Sequence, residues 1–317
     1  MNKKILLSLV IIAVLGTVLY FKNKKYEPEY NKILTTWQEG VDEVVINKPD
    51  NTNLKMIKDA DKWLVGVESY PADKDRAEGI INKIKDLNII DLVSEKKFYS
   101  KYDLTPDKAI IVKILKSGQT VREVMFGKKS STNRHTYVRI NQKPEVYLIA
   151  GSFEHEFNKT VDELRDKEIF KADKESINSL ELTYKGRKYS LYQKLPDKLV
   201  PPKDPKDPSK DKAPEPEWKC QGYEKIKLSK SKVDSIISSF NPVKAESYPN
   251  LKKESLKRSL CSLKFQALGK NIELNIHYQD KEKKYIATCS ESPYVFTLSE
   301  WKAKKYFIKS IKDLKDN

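Results

Sequence analysis

Three histidines, three cysteines and a few neighbouring carboxylates are the side chains from which catalytic or metal chemistry would have to be built in this 317-residue sequence. His135, His155 and His277 do not pair with one another at metal-ligand spacing, and there is no H-E-x-x-H. His155 lies between Glu154 and Glu156 on a helical stretch, which reads either as half a metal site or as an exposed charged face. Cys220, Cys261 and Cys289 are separated by 41 and 28 positions without a C-x-x-C, so no zinc or dithiol motif is present. An odd count leaves two arrangements open: three buried thiols, or one disulfide and a spare thiol. For an exported chain, a Cys261–Cys289 bridge between neighbouring strands is the pair to test. The Gly127–Ser131 stretch has Gly-Lys-Lys-Ser-Ser, but Gly118 stands nine residues upstream where a phosphate loop needs five, so it reads as a loop between strands. No G-x-S-x-G supplies a nucleophile elbow. Asp103 and Asp107 share a turn with lysine, which is weak support for acid–base work. These residues predict no enzyme, no cofactor and no metal centre.

Charge narrows the classes further. Net charge is +16, from 61 basic and 45 acidic residues, yet only Arg76, Arg122, Arg134, Arg139, Arg165, Arg187 and Arg258 are arginine. Lysine is spread along the chain with Glu and Asp between, whereas nucleic-acid faces concentrate charge and favour arginine forks. The expectation is no nucleic acid, a solvated surface, and at most a weak attraction to anionic lipid or glycan.

The N-terminus sets the expected compartment. Lys3 and Lys4 precede an uncharged run from Ile5 to Phe21, and Lys22, Lys24 and Lys25 follow it. That length is at the short end of the ~17–25 residues that span a bilayer. Ala13, Gly16 and Thr17 do not form a clean small-residue cleavage pair, so an uncleaved signal-anchor is favoured over a cleaved signal peptide. Lysine on both sides leaves the positive-inside rule little to discriminate. The expectation is a single-pass protein of the cytoplasmic membrane with its C-terminal portion outside the cytoplasm.

The elements that must position any site follow from periodicity. Residues 41–48, 53–60 and 62–67 alternate as three strands. Ala77, Ile80, Ile81, Ile84 and Leu87 then recur at helical spacing, with Asp73 as N-cap. Two hairpins follow, the first turning at Gly118, which is free to adopt positive φ. A helix capped by Ser152 closes the series. Residues 177–312 repeat this order. Trp218 stands where Trp63 stood, Gly269 where Gly118 stood, and Val233, Ile236, Ile237 and Phe240 stand for the first helix's apolar face. Ser299 caps the closing helix. Order, spacing and paired tryptophans predict an internal duplication. The proline- and lysine-rich stretch at 195–217 falls between the second and third strands of the second copy. It therefore reads as a solvated, extended insertion in a hairpin rather than a domain linker.

Three stretches carry a family resemblance. They are "KWLV" followed by "PADKDRAEGIINKIKDLNIIDLVSE"; "FYSKYDLTPDKAIIVKI"; and "VMFGKKSSTNRHTYVRINQKPEVYLIAGSFEHEFNKTVDELRDKEIF". Over residues 40–170 the sequence resembles the bacterial domain of unknown function 4340 family, and the second repeat does so loosely. The resemblance implies a membrane-anchored, extracytoplasmic accessory protein, since genes of that family often lie beside gliding-motility-type ABC-transporter components. It draws attention to the turn of Tyr102, Asp103, Leu104 and Pro106 as a partner contact. The second repeat has "LKKESLKRSL" there instead, so any role of that turn belongs to the first repeat.

The expected architecture is α+β: a cytoplasmic tail (1–4), a transmembrane helix (5–21), a stalk (22–40), and two tandem, related, mostly antiparallel sheet-plus-helix modules (41–172 and 173–317). The expected function is an accessory or scaffold protein binding protein partners, such as an ABC-transporter or envelope complex. The alternative is a binding module for envelope glycan or anionic lipid.

Overall fold

The computed structural model describes residues 11–19, 33–34, 36–194, 216–267, 269–280 and 282–316. The tail at 1–4, both ends of the expected membrane span, most of the stalk and nearly all of the insertion at 195–217 lie outside the described residues. Residues 11–19 are helical (α1) and leave Ile11, Ile12, Val14, Leu15, Val18 and Leu19 exposed. Among the described residues no helix is long and apolar enough to cross a membrane. The remainder is α+β and mostly antiparallel, and its contacts divide into two units, Met1–Arg165 and Asp166–Asn317.

In the first unit, alternation produces the strands. β1 (Glu43–Asn47), β2 (Asn53–Asp59) and β3 (Lys62–Val65) form a meander in which Val44, Ile46, Leu54, Met56, Trp63 and Val65 point to one face and are buried. A short β4 (Tyr70–Pro71) edges it. Helix α2 (Lys74–Lys85) follows. The Asp73 carboxylate accepts from the Arg76 amide at 3.1 Å, and Ala77, Ile80, Ile81 and Ile84 are buried against the sheet. Asp86 ends the helix, and Ile89–Ser94 forms a strand, β5, which the helical reading of this stretch did not separate. β6 (Ile110–Lys116), β7 (Gln119–Lys129), β8 (His135–Ile140) and β9 (Val146–Ala150) complete a nine-stranded sheet in the order β4-β3-β2-β1-β6-β7-β8-β9-β5. Gly118 takes φ +76° in the β6–β7 turn. The stretch from Ser152 is two single turns rather than one helix: α3 (Glu154–Phe157) and α4 (Val161–Leu164). Ser152 does not cap; Thr160 and Glu163 form a capping box that starts α4 afresh.

The second unit begins earlier than residue 173. Strand β10 (Glu168–Phe170) pairs with β14 (Val243–Lys244), and Ile169, Phe170 and Ala172 belong to this unit's core. β11 (Ser179–Tyr184), β12 (Arg187–Lys194), β13 (Glu217–Cys220), β15 (Cys261–Ala267), β16 (Lys270–Gln279), β17 (Lys284–Cys289) and β18 (Val295–Leu298) form a seven-stranded sheet in the order β13-β12-β11-β15-β16-β17-β18. Helix α5 (Lys230–Ser238) buries Val233, Ile236 and Ile237, with Phe240 just beyond it. α6 (Glu300–Lys305) starts at Ser299, whose hydroxyl makes no capping bond. Lys194 faces Glu217 across the β12–β13 ladder, so the proline-rich stretch joins two adjacent strands of one sheet.

Seven strands of each sheet run in the same order, β3-β2-β1-β6-β7-β8-β9 and β13-β12-β11-β15-β16-β17-β18. Trp63 and Trp218 are the second residues of β3 and β13 and are buried, and Gly269 turns β15 into β16 with φ +74°. The likeness reaches details that periodicity does not reveal. Lys113–Glu123 and Lys264–Glu273 are matching cross-strand ion pairs at 3.0 and 3.2 Å. Each main helix is latched to the end of its own unit: Asp73 N–H donates to Leu164 O at 2.9 Å, and Ser229 N–H to Leu314 O at 2.7 Å. A second capping box, Ser310 with Asp313, starts the turn that supplies Leu314.

The cysteines resolve differently from the bridge suggested by sequence. Cys261 lies on β15 and Cys289 on β17, with β16 between them. Strands two apart are ~9.5 Å distant, beyond the ~7 Å a disulfide can join. All three thiols are free and buried. Burial raises the pKa of each, that of Cys261 to about 12, so almost no thiolate exists at neutral pH. The native chain should therefore take up no thiol reagent at neutral pH and should take up three equivalents once denatured. Mass spectrometry without reductant checks this, and a mass two hydrogens below the all-thiol value would contradict it.

Candidate functional site

The first unit carries a cleft at one end of its sheet, beside the 102–106 turn. It is built where strands stop at different lengths. β1 ends at Asn47 and leads into Lys48-Pro49-Asp50; β6 begins only at Ile110; β7 continues past its pairing with β6 to Lys129. α3 closes the remaining side with Glu154. The cavity is about 680 Å³, floored by Ile110 and Phe126 and rimmed by Lys48, Asp50, Asp103, Asp107, Lys108, Lys128, Lys129 and Glu154. Phe126 is held in place by Phe157 and Phe153, with ring centroids at 4.8 and 5.3 Å.

Gly127 fixes how the turn meets the strand. A Cβ there would lie 2.1 Å from the Tyr102 carbonyl oxygen and 3.0 Å from two carbons of Leu104. Only glycine admits that approach. The turn itself is a single 3-10 turn, Tyr99–Tyr102, ended by Asp103 in the left-handed region at φ +55°. Tyr102 and Leu104 point inward. With Ala109, Met125 and Val146 they make a small core on the sheet face opposite α2, and Tyr102 packs on Tyr137 at 4.9 Å. Of the four residues expected at a partner contact, Tyr102 and Leu104 are thus buried in packing. Pro106 is exposed, and Asp103 is half-exposed on the cleft rim.

The rim charges are largely paired. Lys108 meets Asp103 at 3.3 Å, Lys129 meets Glu154 at 3.0 Å, and Lys48 donates to the Lys159 carbonyl at 2.6 Å. Hydroxyl donors hold two carboxylates below the usual range: Thr52 for Asp50 and Thr105 for Asp107. Such groups stay ionised and keep their direction, which suits matching an opposite charge rather than exchanging a proton near neutrality. Asp103 and Asp107 do share this cleft, and Lys108 stands with them.

The histidines do not converge. His155 is exposed, with Lys159 Nζ at 3.0 Å from its ring. His135 is on β8 and His277 on β16 of the other unit. His277 occupies the place of Gly127, four residues beyond the matching glutamate. Burial lowers its pKa, opposed by a hydrogen bond with the Lys257 backbone. Among the described residues no group of three or more His, Cys, Asp and Glu side chains could hold a metal ion.

Sequence reasoning passed over Arg122. It has the parity of Val124 and Phe126 on β7, so alternation alone points it at the core, and it is fully buried. Its guanidinium donates to four carbonyls: Ile84 at 2.9 Å, Lys85 at 3.0 Å, Leu34 at 2.8 Å and Thr36 at 3.1 Å. Trp37 lies against it at 5.1 Å. One cation thereby satisfies the end of α2 and fastens the segment ahead of β1 to the unit. Ile272 holds the corresponding place in the second unit, so this clamp belongs to the first alone. Glu39, ion-paired with Lys85 at 2.7 Å, and Lys116, donating to the Glu39 carbonyl at 2.7 Å, extend the fastening.

No curated protein and no solved structure matches the chain. A family model does match, from residue 63 to residue 257, over more than half of the sequence. The match begins at the buried Trp63, takes in the 102–106 turn and Gly127, and runs into the second unit. The chain belongs to the family described as Domain of unknown function (DUF4340).

Proposed function

We propose that this protein is a non-enzymatic accessory component of a cell-envelope complex, such as an ABC transporter. In this reading an N-terminal helix tethers it to the cytoplasmic membrane, both α+β units lie outside the cytoplasm, and a protein partner seats in the first unit's cleft. The observation that carries the tether is the lysine-flanked apolar run from Ile5 to Phe21, whose helical part, residues 11–19, leaves six large apolar side chains more than half exposed. The cleft's fixed alternating charges over an apolar floor support partner recognition. The shared strand order, ion pairs and helix latches support descent of the two units from one duplicated module. Only the first copy has the Gly127-backed turn, so the partner contact is assigned there.

A photo-reactive phenylalanine analogue in place of Pro106 tests the reading in native membranes. Irradiation should link the chain to one membrane-complex subunit that also co-purifies with it. Reversing charge with Lys128→Glu should lower the yield several-fold, because rim charges govern encounter. The same analogue at Val67 should give no link. A chain that stays monomeric at the Pro106 position would contradict the proposal. An anionic lipid surface is a second ligand class, and the residues favouring it lie elsewhere, in the second unit.

A further inference from the structure

Helix α6 buries Ala303 and turns the rest of its short length outward. Trp301 is 61% exposed, an unusual position for the side chain with the largest apolar surface. The Nζ atoms of Lys305 and Lys302 stand 5.1 and 5.6 Å from its ring centroid. Lys304, ion-paired with Glu300, completes three lysines in one turn. Tyr278, 43% exposed, contacts Tyr285 with centroids 5.1 Å apart, and Tyr285 in turn packs on Phe307, two residues beyond α6, at 5.5 Å. One exposed indole is thus set among three lysines on the outward face of α6, with Tyr278 and Tyr285 on strands β16 and β17.

We propose that this face of the second unit docks on an anionic phospholipid surface, with Trp301 entering the head-group layer and Lys302, Lys304 and Lys305 meeting lipid phosphates. Three features select that occupant. Tryptophan and tyrosine settle at the boundary of hydrocarbon and water, where one part of the ring is dry and the other hydrated. Lysine presents a compact point charge on a flexible stem, which suits many mobile phosphates; α6 carries no arginine, whose fork suits fixed bidentate partners. Lysine ammonium groups already attend the Trp301 ring, so a sugar would have to displace them to stack there, whereas a phosphate adds to them. This docking goes beyond the partner reading and needs only a membrane within reach.

The test uses the full chain with vesicles of phosphatidylcholine alone or mixed with phosphatidylglycerol, both carrying acyl-chain bromines. The difference in tryptophan quenching between the native chain and Trp301→Phe isolates Trp301. Trp301-dependent quenching should appear with phosphatidylglycerol and fall to the Trp301→Phe level at high salt. It should fall likewise in a Lys302→Gln, Lys304→Gln, Lys305→Gln variant. Protection of the Cys261 thiol verifies that each variant is folded. Quenching that is absent with phosphatidylglycerol, equal in both vesicles, or indifferent to the lysine changes would overturn the proposal. So would Trp301-dependent quenching that appears only when membrane protein is added to the vesicles. Flotation with pure phosphatidylcholine reports the N-terminal tether separately: a chain that quenches with phosphatidylglycerol but does not float with phosphatidylcholine keeps the docking face and loses the tether.

Discussion

Replacing Arg122 with methionine should destabilise the first unit by about 3–4 kcal/mol, since the change removes the donor from four carbonyls packed where water is scarce. Methionine restores most of the volume, so the loss measures hydrogen bonding more than cavity formation. Lysine at the same place should lose less than methionine, because it keeps the charge but cannot fork to four acceptors. The signature should also be local. Amide exchange should quicken in residues 36–42 and in the last turn of α2 before it changes elsewhere. All three cysteines lie in the second unit, so their protection should persist at temperatures where the first unit has opened. If Arg122→Met leaves exchange in 36–42 unchanged, the clamp does not hold that segment. Ile33 in the core, together with Arg122, Trp37 and Glu39, holds the segment ahead of β1 to the first unit.

Gly127→Ala should be nearly as damaging, costing about 3 kcal/mol or more, although it adds a single carbon. The new Cβ would meet the Tyr102 carbonyl at 2.1 Å, and that obstacle is backbone rather than a flexible side chain. The 99–109 segment must then lift from β7. Its internal bonds, Leu104 N–H to Tyr99 O at 3.0 Å and Ala109 N–H to Thr105 O at 2.9 Å, should lose exchange protection together. Leu104→Ala is the informative contrast. It should cost ~2–5 kcal/mol through a cavity while the turn keeps its place. Cross-linking from the 106 position should consequently disappear with Gly127→Ala and survive with Leu104→Ala. Equal survival in both would mean that the turn's seat on Gly127 does not position the partner.

The parts of this architecture that depend on local periodicity were legible. The apolar stripe of α2, the alternation in β1 to β3, the two positive-φ glycines at hairpin turns and the paired tryptophans all follow from spacing along one element. What was not legible depends on tertiary partners. Ile89–Ser94 reads as a continuation of helical periodicity, and it becomes a strand because β9 offers it an edge. Thr160 and Glu163 split the closing helix through a capping box that the pattern S-F-E-H-E-F masks. Phe170 joins the second core because Val243, far along the chain, pairs with it. Cys261 and Cys289 looked like neighbours because their strands sit either side of one hairpin strand. In the 102–106 turn, the family resemblance marked the residues but not their directions. Two proved to be packing, and the cleft beside them is assembled from five separate segments.

The proposed tethered, extracytoplasmic placement of the units is open to a single labelling measurement. Val67 is 98% exposed at the tip of a turn, and the native thiols are buried, so Val67→Cys creates one reactive site on a silent background. Intact cells are treated with a membrane-impermeant maleimide. The expected outcome is a labelled, full-length chain that pellets with the membranes and resists alkaline extraction. A chain labelled only after the cells are broken would contradict the placement of these units outside the cytoplasm.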